Sequence, residues 1–374
     1  MPKKILFLTG TRADFGKLKP LINAVKNCDG FQYQIFATGI HMLAKYGGTV
    51  KEISRSGFDN VFTYMNHIEG EDMEITLANT IIGLSRYLHE HQVDMIVVHG
   101  DRVEALAGAT AGALRNILVV HVEGGEISGT VDELMRHAIS KLSHIHFVAS
   151  ETAERRLQQL GEAPETIFRI GSPDVDVMLS DTLPELEQAK ERYQIPFEQY
   201  AIAMLHPVTT EYELQAQHAE IFVDSLMASK QNYIVVYPNN DYGSEFIFSA
   251  YNRLKNHSNI RLFPSLRFEY FLRFLKHANF LVGNSSAGIH EAPIYGVPTI
   301  NIGTRQQNRF HYESIFDVDF DCADILSHMA RFKSLTRFSP CAYYGDGSSS
   351  EKFLAALQGD VWTISNQKQF KDFN

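Results

Sequence analysis

Short, uninterrupted apolar runs alternate with longer helical patterns along most of the 374-residue chain. Strands that are apolar throughout are typical of parallel sheets, because helices cover both faces of such a sheet. The alternation therefore predicts an α/β protein with two doubly wound domains. The predicted strands lie at residues 5–9, 33–38, 95–99, 118–122 and 145–149 in the first domain and at 200–205, 233–237, 260–263, 280–283 and 299–302 in the second.

A charged helical stretch at residues 183–194 separates the two sets of strands, which places the domain boundary near residue 180. The first domain is predicted to span residues 1–178 and the second residues 179–355. The C-terminal segment, residues 356–374, is predicted to pack back on the first domain. A chain of this length can give each of two domains its own hydrophobic core.

Composition narrows the class of protein. The formal net charge of −10 argues against a nucleic-acid-binding protein with a broad basic surface and against a protein held on a membrane surface. No apolar run reaches membrane-spanning length, and the N-terminal run is too short for a signal peptide. The cysteines, Cys28, Cys322 and Cys341, form neither a disulfide framework nor a metal-binding pair. We therefore expect a cytoplasmic protein that binds neither nucleic acid nor membrane.

Polar residues cluster directly after several predicted strands, beginning with the turn at residues 10–16 before a predicted helix at 17–26. Ligands of open parallel sheets bind beyond the carboxyl ends of the strands. Glycine-rich turns that enter helices also offer backbone amides to an anion. The candidate site residues are Arg12, Asp101, Arg102, Glu123 and Asp132 in the first domain and His206, Asn239, Ser285, Ser286, Glu291 and Arg305 in the second.

Each candidate also has an ordinary structural interpretation. Arg12 fits a surface turn, Asp101 and Arg102 fit a mutual pair at a helix cap, and Asp132 fits a first-turn acid. A Ser–Ser turn is commonly a helix cap, and a lone histidine is commonly structural. As a set, the arginines and the serine turn indicate an anion site, and the carboxylates with His206 indicate an acid–base site. The residues thus predict a cleft between two domains that binds a phosphorylated ligand.

At these positions the sequence resembles the hydrolysing UDP-N-acetylglucosamine 2-epimerases, bacterial enzymes that feed sialic acid synthesis. The resemblance implies two Rossmann-like domains that face a cleft in a glycosyltransferase-B-like arrangement, assembled as a homodimer or homotetramer and without a metal or another cofactor. The matching segments span residues 9 to about 307 and are TGTRADFGKLKPL, HGDRVEALAGA, HVEGGEISGTVDE, RHAISKLSHIH, IGSPDVD, HPVTT, YPNND, FPSLRFEYF, GNSSAG, EAPIYGVP and GTRQ.

The resemblance also implies roles for the candidate residues. The catalytic acids and bases would come from Asp101, Glu123 and Asp132, and His206 would lie near the diphosphate and the sugar. The residues that hold UDP would be Arg12, Arg102, Asn239, Ser285, Ser286, Glu291 and Arg305.

Two residues depart from the family's pattern, and one loop bears on which branch of the family the chain resembles. Gly16 stands where some relatives have a serine that contacts the nucleotide, and His290 stands where several have an arginine. The resemblance therefore does not imply the corresponding contacts for this chain. The GTRAD loop at residues 10–14 differs from the GTRPE loop of the non-hydrolysing epimerases, which favours the hydrolysing branch.

The implied reaction converts UDP-N-acetylglucosamine and water into N-acetylmannosamine and UDP. Departure of UDP makes C1 oxocarbenium-like and C2–H acidic, so that 2-acetamidoglucal forms and then adds water. Cationic side chains and a helix N-terminus would stabilise the leaving diphosphate. Three alternatives stay open: the same reaction on a UDP- or GDP-linked 2,4-diacetamido-2,4,6-trideoxyhexose, a glycosyltransferase on the same scaffold, and a non-catalytic nucleotide-sugar sensor.

Overall fold

The computed structural model describes residues 2–43, 48–68, 71–127, 131–238, 243–307, 309–334, 336–369 and 371. It divides the chain into two compact units. Unit 1 comprises Met1–Leu179 and Tyr343–Asn374, and unit 2 comprises Ser180–Ala342. The second unit therefore ends before the predicted residue 355, because the chain already rejoins unit 1 at Tyr343.

Unit 1 is built on a parallel sheet. Its strands are β1 (Lys3–Thr9), β2 (Phe31–Ala37), β3 (Val61–Thr63), β4 (Met95–His99), β5 (Leu118–Val122), β6 (Ile145–Val148) and β7 (Ile167–Arg169). Their order is β3-β2-β1-β4-β5-β6-β7, and every described pair is parallel. The order reverses between β1 and β4, which is where doubly wound sheets hold ligands.

Helices of unit 1 alternate with these strands along the chain, each helix following one strand. They are α1 (Arg12–Lys26), α2 (Val50–Arg55), α3 (Met73–Glu90), α4 (Val103–Leu114), α5 (Val131–Leu142), α6 (Glu151–Gln159) and α7 (Pro173–Leu179). Helix α1 begins five residues before the predicted residue 17. A capping box explains the difference: the Thr11 hydroxyl accepts from the Asp14 amide at 3.2 Å, and the Asp14 carboxylate accepts from the Thr11 amide at 3.0 Å.

Unit 2 repeats this architecture. Its strands are β8 (Ala201–Met204), β9 (Tyr233–Val236), β10 (Ile260–Phe263), β11 (Leu281–Gly283), β12 (Thr299–Ile302) and β13 (Ile315–Val318). They form a parallel sheet in the order β10-β9-β8-β11-β12-β13. Its helices are α8 (Leu186–Tyr193), α9 (Gln215–Ser229), α10 (Ser244–Tyr251), α11 (Phe268–His277), α12 (Glu291–Ile294) and α13 (Cys322–Arg331). The predicted α/β class with two doubly wound sheets is confirmed.

The last helix, α14 (Ser349–Gln358), belongs to the core of unit 1. The Phe353 ring lies 4.9 Å from the Phe147 ring and 6.5 Å from the Phe7 ring. The Asp176 carboxylate on α7 accepts from the Ser349 amide at 2.9 Å and thereby caps the start of α14. This packing explains why unit 1 includes residues that the sequence analysis assigned to the second domain.

The C-terminal segment also closes the end of α5. The Lys368 ammonium donates to the carbonyls of Lys141 at 3.0 Å and Ser143 at 2.6 Å and pairs with the buried Glu162. A cation at a helix C-terminus interacts favourably with the helix dipole. Burial alone would raise the pKa of Glu162, but hydrogen bonds from His146 and the lysines outweigh burial and hold that pKa at about 2.

Lys368→Met is expected to lower the free energy of unfolding by about 1.5–3 kcal/mol, the usual worth of hydrogen bonds to a charged group. Because the folded-state pKa of Glu162 lies below its ordinary 4.5, its ionisation adds stability at neutral pH that is lost as the pH falls towards 2. The difference in unfolding free energy between Lys368→Met and the unchanged protein should therefore narrow at acid pH, which urea titrations measure. Lys371→Met, which removes an exposed pair with Glu165, is the matched control; equal losses in the two variants would contradict this account.

Candidate active site

Glu123 stands at the carboxyl end of β5 in a left-handed conformation, with φ of 62°. A residue with a side chain adopts this conformation at a cost, and such residues cluster at functional sites. The turn that follows is equally constrained, because a Cβ on Gly125 would lie 2.3 Å from the Ala153 carbonyl oxygen. The backbone therefore holds Glu123 in one orientation.

Glu123 and four neighbouring side chains form a group that we call the Glu123 cluster: Lys17, His99, Glu123, Ser172 and Asp174. The Lys17 ammonium lies 2.9 Å from Glu123 Oε2 and 2.9 Å from Asp174 Oδ2. His99 Nε2 lies 3.0 Å from Glu123 Oε2, and Ser172 Oγ donates to Glu123 Oε1. The side chains of Glu123 and Asp174 are only 15% and 12% exposed. One lysine thus serves two largely buried carboxylates.

The two carboxylates of the cluster have different proton affinities. Burial alone would raise the pKa of Glu123, but the charge of Lys17, the electrostatic interaction with His99 and hydrogen bonds from His99 and Ser172 hold that pKa well below its ordinary value. Burial raises the pKa of Asp174, with Lys17 opposing and Glu123 adding to the rise. Burial would lower the pKa of Lys17, but both carboxylates raise it. Neighbouring carboxyl groups with separated pKa values are the arrangement that acid–base catalysis requires.

Asp101 lies in the loop after β4 and forms an ion pair with Arg136 on α5. Arg102 points elsewhere, with its Nε 3.6 Å from Glu104 Oε2. The mutual Asp101–Arg102 pair considered from the sequence is therefore not formed. Nε and Nη1 of Arg136 are buried and make no hydrogen bond with the part of the chain that the structure describes. This guanidinium combines a fixed carboxylate partner with free donor capacity.

His121 fixes the position of the Asp101 loop. Burial lowers the pKa of His121 to about 3, so the ring is neutral at physiological pH. Because a carbonyl only accepts, Nε2 donates to the Gly100 oxygen at 2.8 Å, and Nδ1 accepts from the Ser140 hydroxyl at 3.0 Å. The ring thereby ties this loop to α5, the helix that carries Arg136.

The other first-unit candidates lie at helix starts. Arg12 opens α1 and forms an ion pair with Glu52, with Nε and Oε2 2.9 Å apart. Asp132 stands in the first turn of α5 and is half-buried. The register of β4 and β5 pairs His99 with Val122, so the loops that carry Asp101 and Glu123 leave the same edge of the sheet. The structure therefore brings Asp101 and Glu123 to one end of unit 1.

In unit 2, Asn284 connects three strand ends. Its Oδ1 accepts from the His206 amide at 2.7 Å and its Nδ2 donates to the His206 carbonyl at 2.8 Å. Its own carbonyl accepts from Arg305 Nη1 at 3.1 Å and from Gln306 Nε2 at 3.0 Å. His206, the serine turn and Arg305 follow the neighbouring strands β8, β11 and β12. Asn284 was not predicted as a site residue, although its GNSS segment was.

The turn that carries Ser285 and Ser286 follows Gly283, where the backbone packs closely against β8. Gly283 has φ of 132°, and a Cβ there would lie 1.9 Å from the Met204 carbonyl oxygen. Ser285 caps a short 3₁₀ helix, with its hydroxyl accepting from the Ala287 amide at 3.3 Å. The structural interpretation considered from the sequence is thus realised for Ser285. Ser286 is exposed, and Glu291 opens α12.

The remaining predictions concern Asn239, metal ions and membrane-spanning helices. Asn239 lies outside the described residues. Within the described ranges, no cluster of three or more His, Cys, Asp and Glu side chains has the geometry to hold a metal ion. The same ranges contain no helix that is both long and apolar enough to span a membrane.

Sequence analysis missed Lys17, His99, Arg136, Ser172 and Asp174 as site residues. Lys17, Asp174 and Arg136 stand inside the segments TGTRADFGKLKPL, IGSPDVD and RHAISKLSHIH. These three residues therefore lie within the segments that carry the family resemblance. A search confined to strand ends does not find Lys17, Asp174 and Arg136, because they project from helices, whereas His99 was passed over although it is the last residue of β4.

Two parallel sheets with polar loops at the carboxyl ends of their central strands define the class of doubly wound α/β proteins that bind ligands beyond those ends. The structure of UDP-GlcNAc 2-epimerase from Methanocaldococcus jannaschii in complex with UDP-GlcNAc and UDP matches 95% of this chain and 99% of that chain. The TM-score is 0.78 at 21% sequence identity, a likeness that establishes the fold. The predicted Rossmann-like, glycosyltransferase-B-like fold class is confirmed.

Sequence comparison identifies the family. Residues 23–358 match the family model described as UDP-N-acetylglucosamine 2-epimerase. The chain is 49% identical, over 100% of both sequences, to UDP-N-acetylglucosamine 2-epimerase from Neisseria meningitidis serogroup B. It is 33% identical, over 96% of both, to UDP-N,N'-diacetylbacillosamine 2-epimerase (hydrolyzing) from Legionella pneumophila. The chain belongs to the UDP-N-acetylglucosamine 2-epimerase family.

Proposed function

We propose that this protein is a hydrolysing UDP-N-acetylglucosamine 2-epimerase, which forms N-acetylmannosamine and UDP for sialic acid and surface polysaccharide synthesis. Membership of the family supports the substrate and the inversion at C2. The observation that carries the chemistry is the Glu123 cluster, where Lys17 lies 2.9 Å from each of two carboxylates with separated pKa values. The protein acts in the cytoplasm as a homodimer or homotetramer.

The first half of the proposed reaction is an anti elimination. The C1–O bond breaks and its electron pair leaves with UDP, so that C1 becomes oxocarbenium-like. This change acidifies C2–H, and a weak carboxylate base then suffices to remove the proton. Glu123 is ionised at neutral pH and held in one orientation, so we assign it this role. The product of this half is 2-acetamidoglucal.

The second half is hydration of the glucal. Water adds at C1, and a proton returns to C2 on the opposite face, which gives N-acetylmannosamine. Two faces of the ring require two proton-handling groups. Asp101, fixed by Arg136, and Asp132, in the first turn of α5, are the candidates for the second group.

UDP departs as an anion and needs positive partners. We propose that the side chains at the three strand ends that Asn284 connects contribute to binding it, with His206 near the diphosphate and sugar. Donors preorganised around developing charge stabilise a transition state without further reorganisation. The proposed UDP-binding residues are Arg12, Arg102, Asn239, Ser285, Ser286, Glu291 and Arg305.

Arg305→Ala and Ser285→Ala are each expected to weaken UDP binding by about 1.5–3 kcal/mol, because each removes a contact to a charged group. Isothermal titration calorimetry with UDP measures the loss. Arg253→Ala is the matched control, since this arginine pairs on the surface of unit 2 with Glu220 and Asp224. Unchanged affinity in both site variants would remove these residues from the proposed UDP site.

A second substrate has a specific observation in its favour. The Legionella pneumophila relative is named for a diacetamido sugar nucleotide and is 33% identical to this chain. The same elimination and hydration would then act on a UDP- or GDP-linked 2,4-diacetamido-2,4,6-trideoxyhexose. The 49% identity to the Neisseria meningitidis relative favours UDP-N-acetylglucosamine.

NMR of products formed without an acceptor distinguishes the possibilities. From UDP-N-acetylglucosamine we expect free N-acetylmannosamine and UDP. UDP-N-acetylmannosamine as the product would identify a non-hydrolysing epimerase. Turnover of the diacetamido sugar nucleotide alone would establish the alternative substrate. Binding without turnover of either would indicate a sensor, and turnover only after an acceptor is added would indicate a glycosyltransferase.

A further inference from the structure

Lys17 stands between two acids that reach it from different elements. Its ammonium lies 2.9 Å from Glu123 Oε2, at the end of β5, and 2.9 Å from Asp174 Oδ2, on α7. Glu123 has further donors in His99 and Ser172. Asp174 is linked to the cluster through Lys17, and the two carboxylates compete for one ammonium.

The segment that carries Asp174 is held firmly in unit 1. The Ser172 amide donates to the Tyr344 carbonyl at 2.6 Å, and a Cβ on Gly171 would approach the Gly345 Cα to 3.0 Å. Asp176, two residues after Asp174 on α7, accepts from the amide of Ser349 at 2.9 Å. Asp174 is therefore placed by backbone contacts with the returning C-terminal segment, and its distance to Lys17 is not set by Lys17 alone.

The charge on Asp174 governs what Lys17 does to Glu123. While Asp174 is an anion, the ammonium is shared, and Glu123 keeps part of its basicity. Once Asp174 is neutral, the ammonium pairs wholly with Glu123, which then becomes a weaker base. Among the residues that the structure describes, the charged and titratable groups that act on Asp174 are Lys17 from α1, Glu123 from the end of β5 and His99 from the end of β4. Helix α14 contacts α7 through hydrogen bonds from the Ser349 and Ser350 amides to the Asp176 carboxylate.

We propose that Asp174 is a positioning residue of the epimerase reaction: as an anion it shares the Lys17 ammonium with Glu123 and so keeps Glu123 basic enough to accept the C2 proton. The inference rests on the proposed function for its reaction and on the geometry of unit 1 for its network. It adds to the reaction a group that acts through Lys17 and does not itself contact the sugar.

Asp174→Asn tests the charge while preserving the shape. We expect kcat at neutral pH to fall about tenfold, a small part of the 10²–10⁴ that a general base contributes, while KM and UDP affinity stay nearly constant. Because burial raises the pKa of Asp174, the unchanged enzyme should lose activity on the acid side as Asp174 takes up a proton. Asp174→Asn should lack that acid limb, so that the two enzymes converge at acid pH. Asp174→Glu, which restores the charge, should recover part of kcat.

Two further comparisons separate this role from a structural one. If Asp174 acts through Lys17, adding Asp174→Asn to Lys17→Met should cost no further activity, whereas independent roles would give losses that multiply. Asp176→Asn is the matched control on the same helix, because it weakens the junction with Ser349 but leaves the charge beside Lys17 unchanged. It should lower stability and keep the acid limb in place.

A carboxyl ¹³C titration of aspartate-labelled protein provides a readout that needs no turnover. The signal lost in Asp174→Asn should titrate above the ordinary range of aspartate, and Lys17→Met should raise its midpoint further. If the enzyme turns over UDP-N-acetylglucosamine but Asp174→Asn matches it in kcat and acid limb, the inference is overturned and the proposed function stands. If no substrate is turned over, the proposed function fails, and the titration alone decides whether Lys17 couples to Asp174.

Discussion

Glu123→Gln is expected to lower kcat by about 10²–10⁴-fold, the range for loss of a general base, with little change in UDP affinity. The substitution preserves the shape of the cluster. Its amide oxygen can accept from Lys17 and His99, and its NH₂ group can face the Ser172 hydroxyl, which is able to accept a hydrogen bond. The expected loss therefore reports the missing carboxylate and its proton affinity.

Steady-state kinetics and calorimetry with UDP together check this prediction. Glu151→Gln is a suitable control, because Glu151 is an exposed glutamate of the same unit that pairs with Arg169 on the surface. The control should retain full turnover. Near-normal kcat in Glu123→Gln would remove Glu123 from the role of base, although it would leave the elimination route itself untouched.

Lys17→Met should have the largest combined effect on stability and turnover. It leaves two largely buried carboxylates without their shared cation. We expect a loss of about 3 kcal/mol at neutral pH, the lower end for breaking a buried ion pair, because the cluster keeps some contact with solvent. The turnover of Lys17→Met should also fall, and Glu123→Gln provides the reference for the size of that loss. Without Lys17, the Glu123 carboxylate would have a different position and charge state.

The stability deficit of Lys17→Met should depend on pH in a defined direction. Without the ammonium, the folded-state pKa values of Glu123 and Asp174 rise above their unfolded values, so the folded state binds more protons. Its relative stability then increases as the pH falls. Urea unfolding at pH 5 and pH 8 should show the smaller deficit at pH 5. Lys26→Met, at the exposed end of the same helix, is the control; a deficit that grows at pH 5 would contradict the charge assignment.

The sheets were accessible to sequence reasoning because their central strands are buried on both faces. The predicted strands at 95–99 and 118–122 coincide with Met95–His99 and Leu118–Val122. The strands β3, β7 and β13 were missed. Each lies at the edge of its sheet and includes exposed positions, so its sequence lacks an uninterrupted apolar run.

The candidate site was predictable only in part. Strand ends pointed to Glu123, Asp101 and Arg305 as candidates, since a parallel sheet brings its loops to one edge. Lys17 and Asp174 were beyond that rule, because their meeting depends on how α1 packs against α7, and no local pattern encodes this packing. Asp101 and Arg102 are neighbours in sequence, yet they do not pair with each other. Asp101 pairs with Arg136 on α5, and Arg102 lies near Glu104 on α4.

The central claim is that carboxylates of this protein remove and return the proton at C2. The most direct test is the reaction of UDP-N-acetylglucosamine in D₂O without an acceptor, followed by NMR. We expect UDP together with free N-acetylmannosamine that carries deuterium at C2, because the returning proton comes from a group that exchanges with solvent. N-acetylmannosamine that retains its original hydrogen at C2 would contradict the central claim.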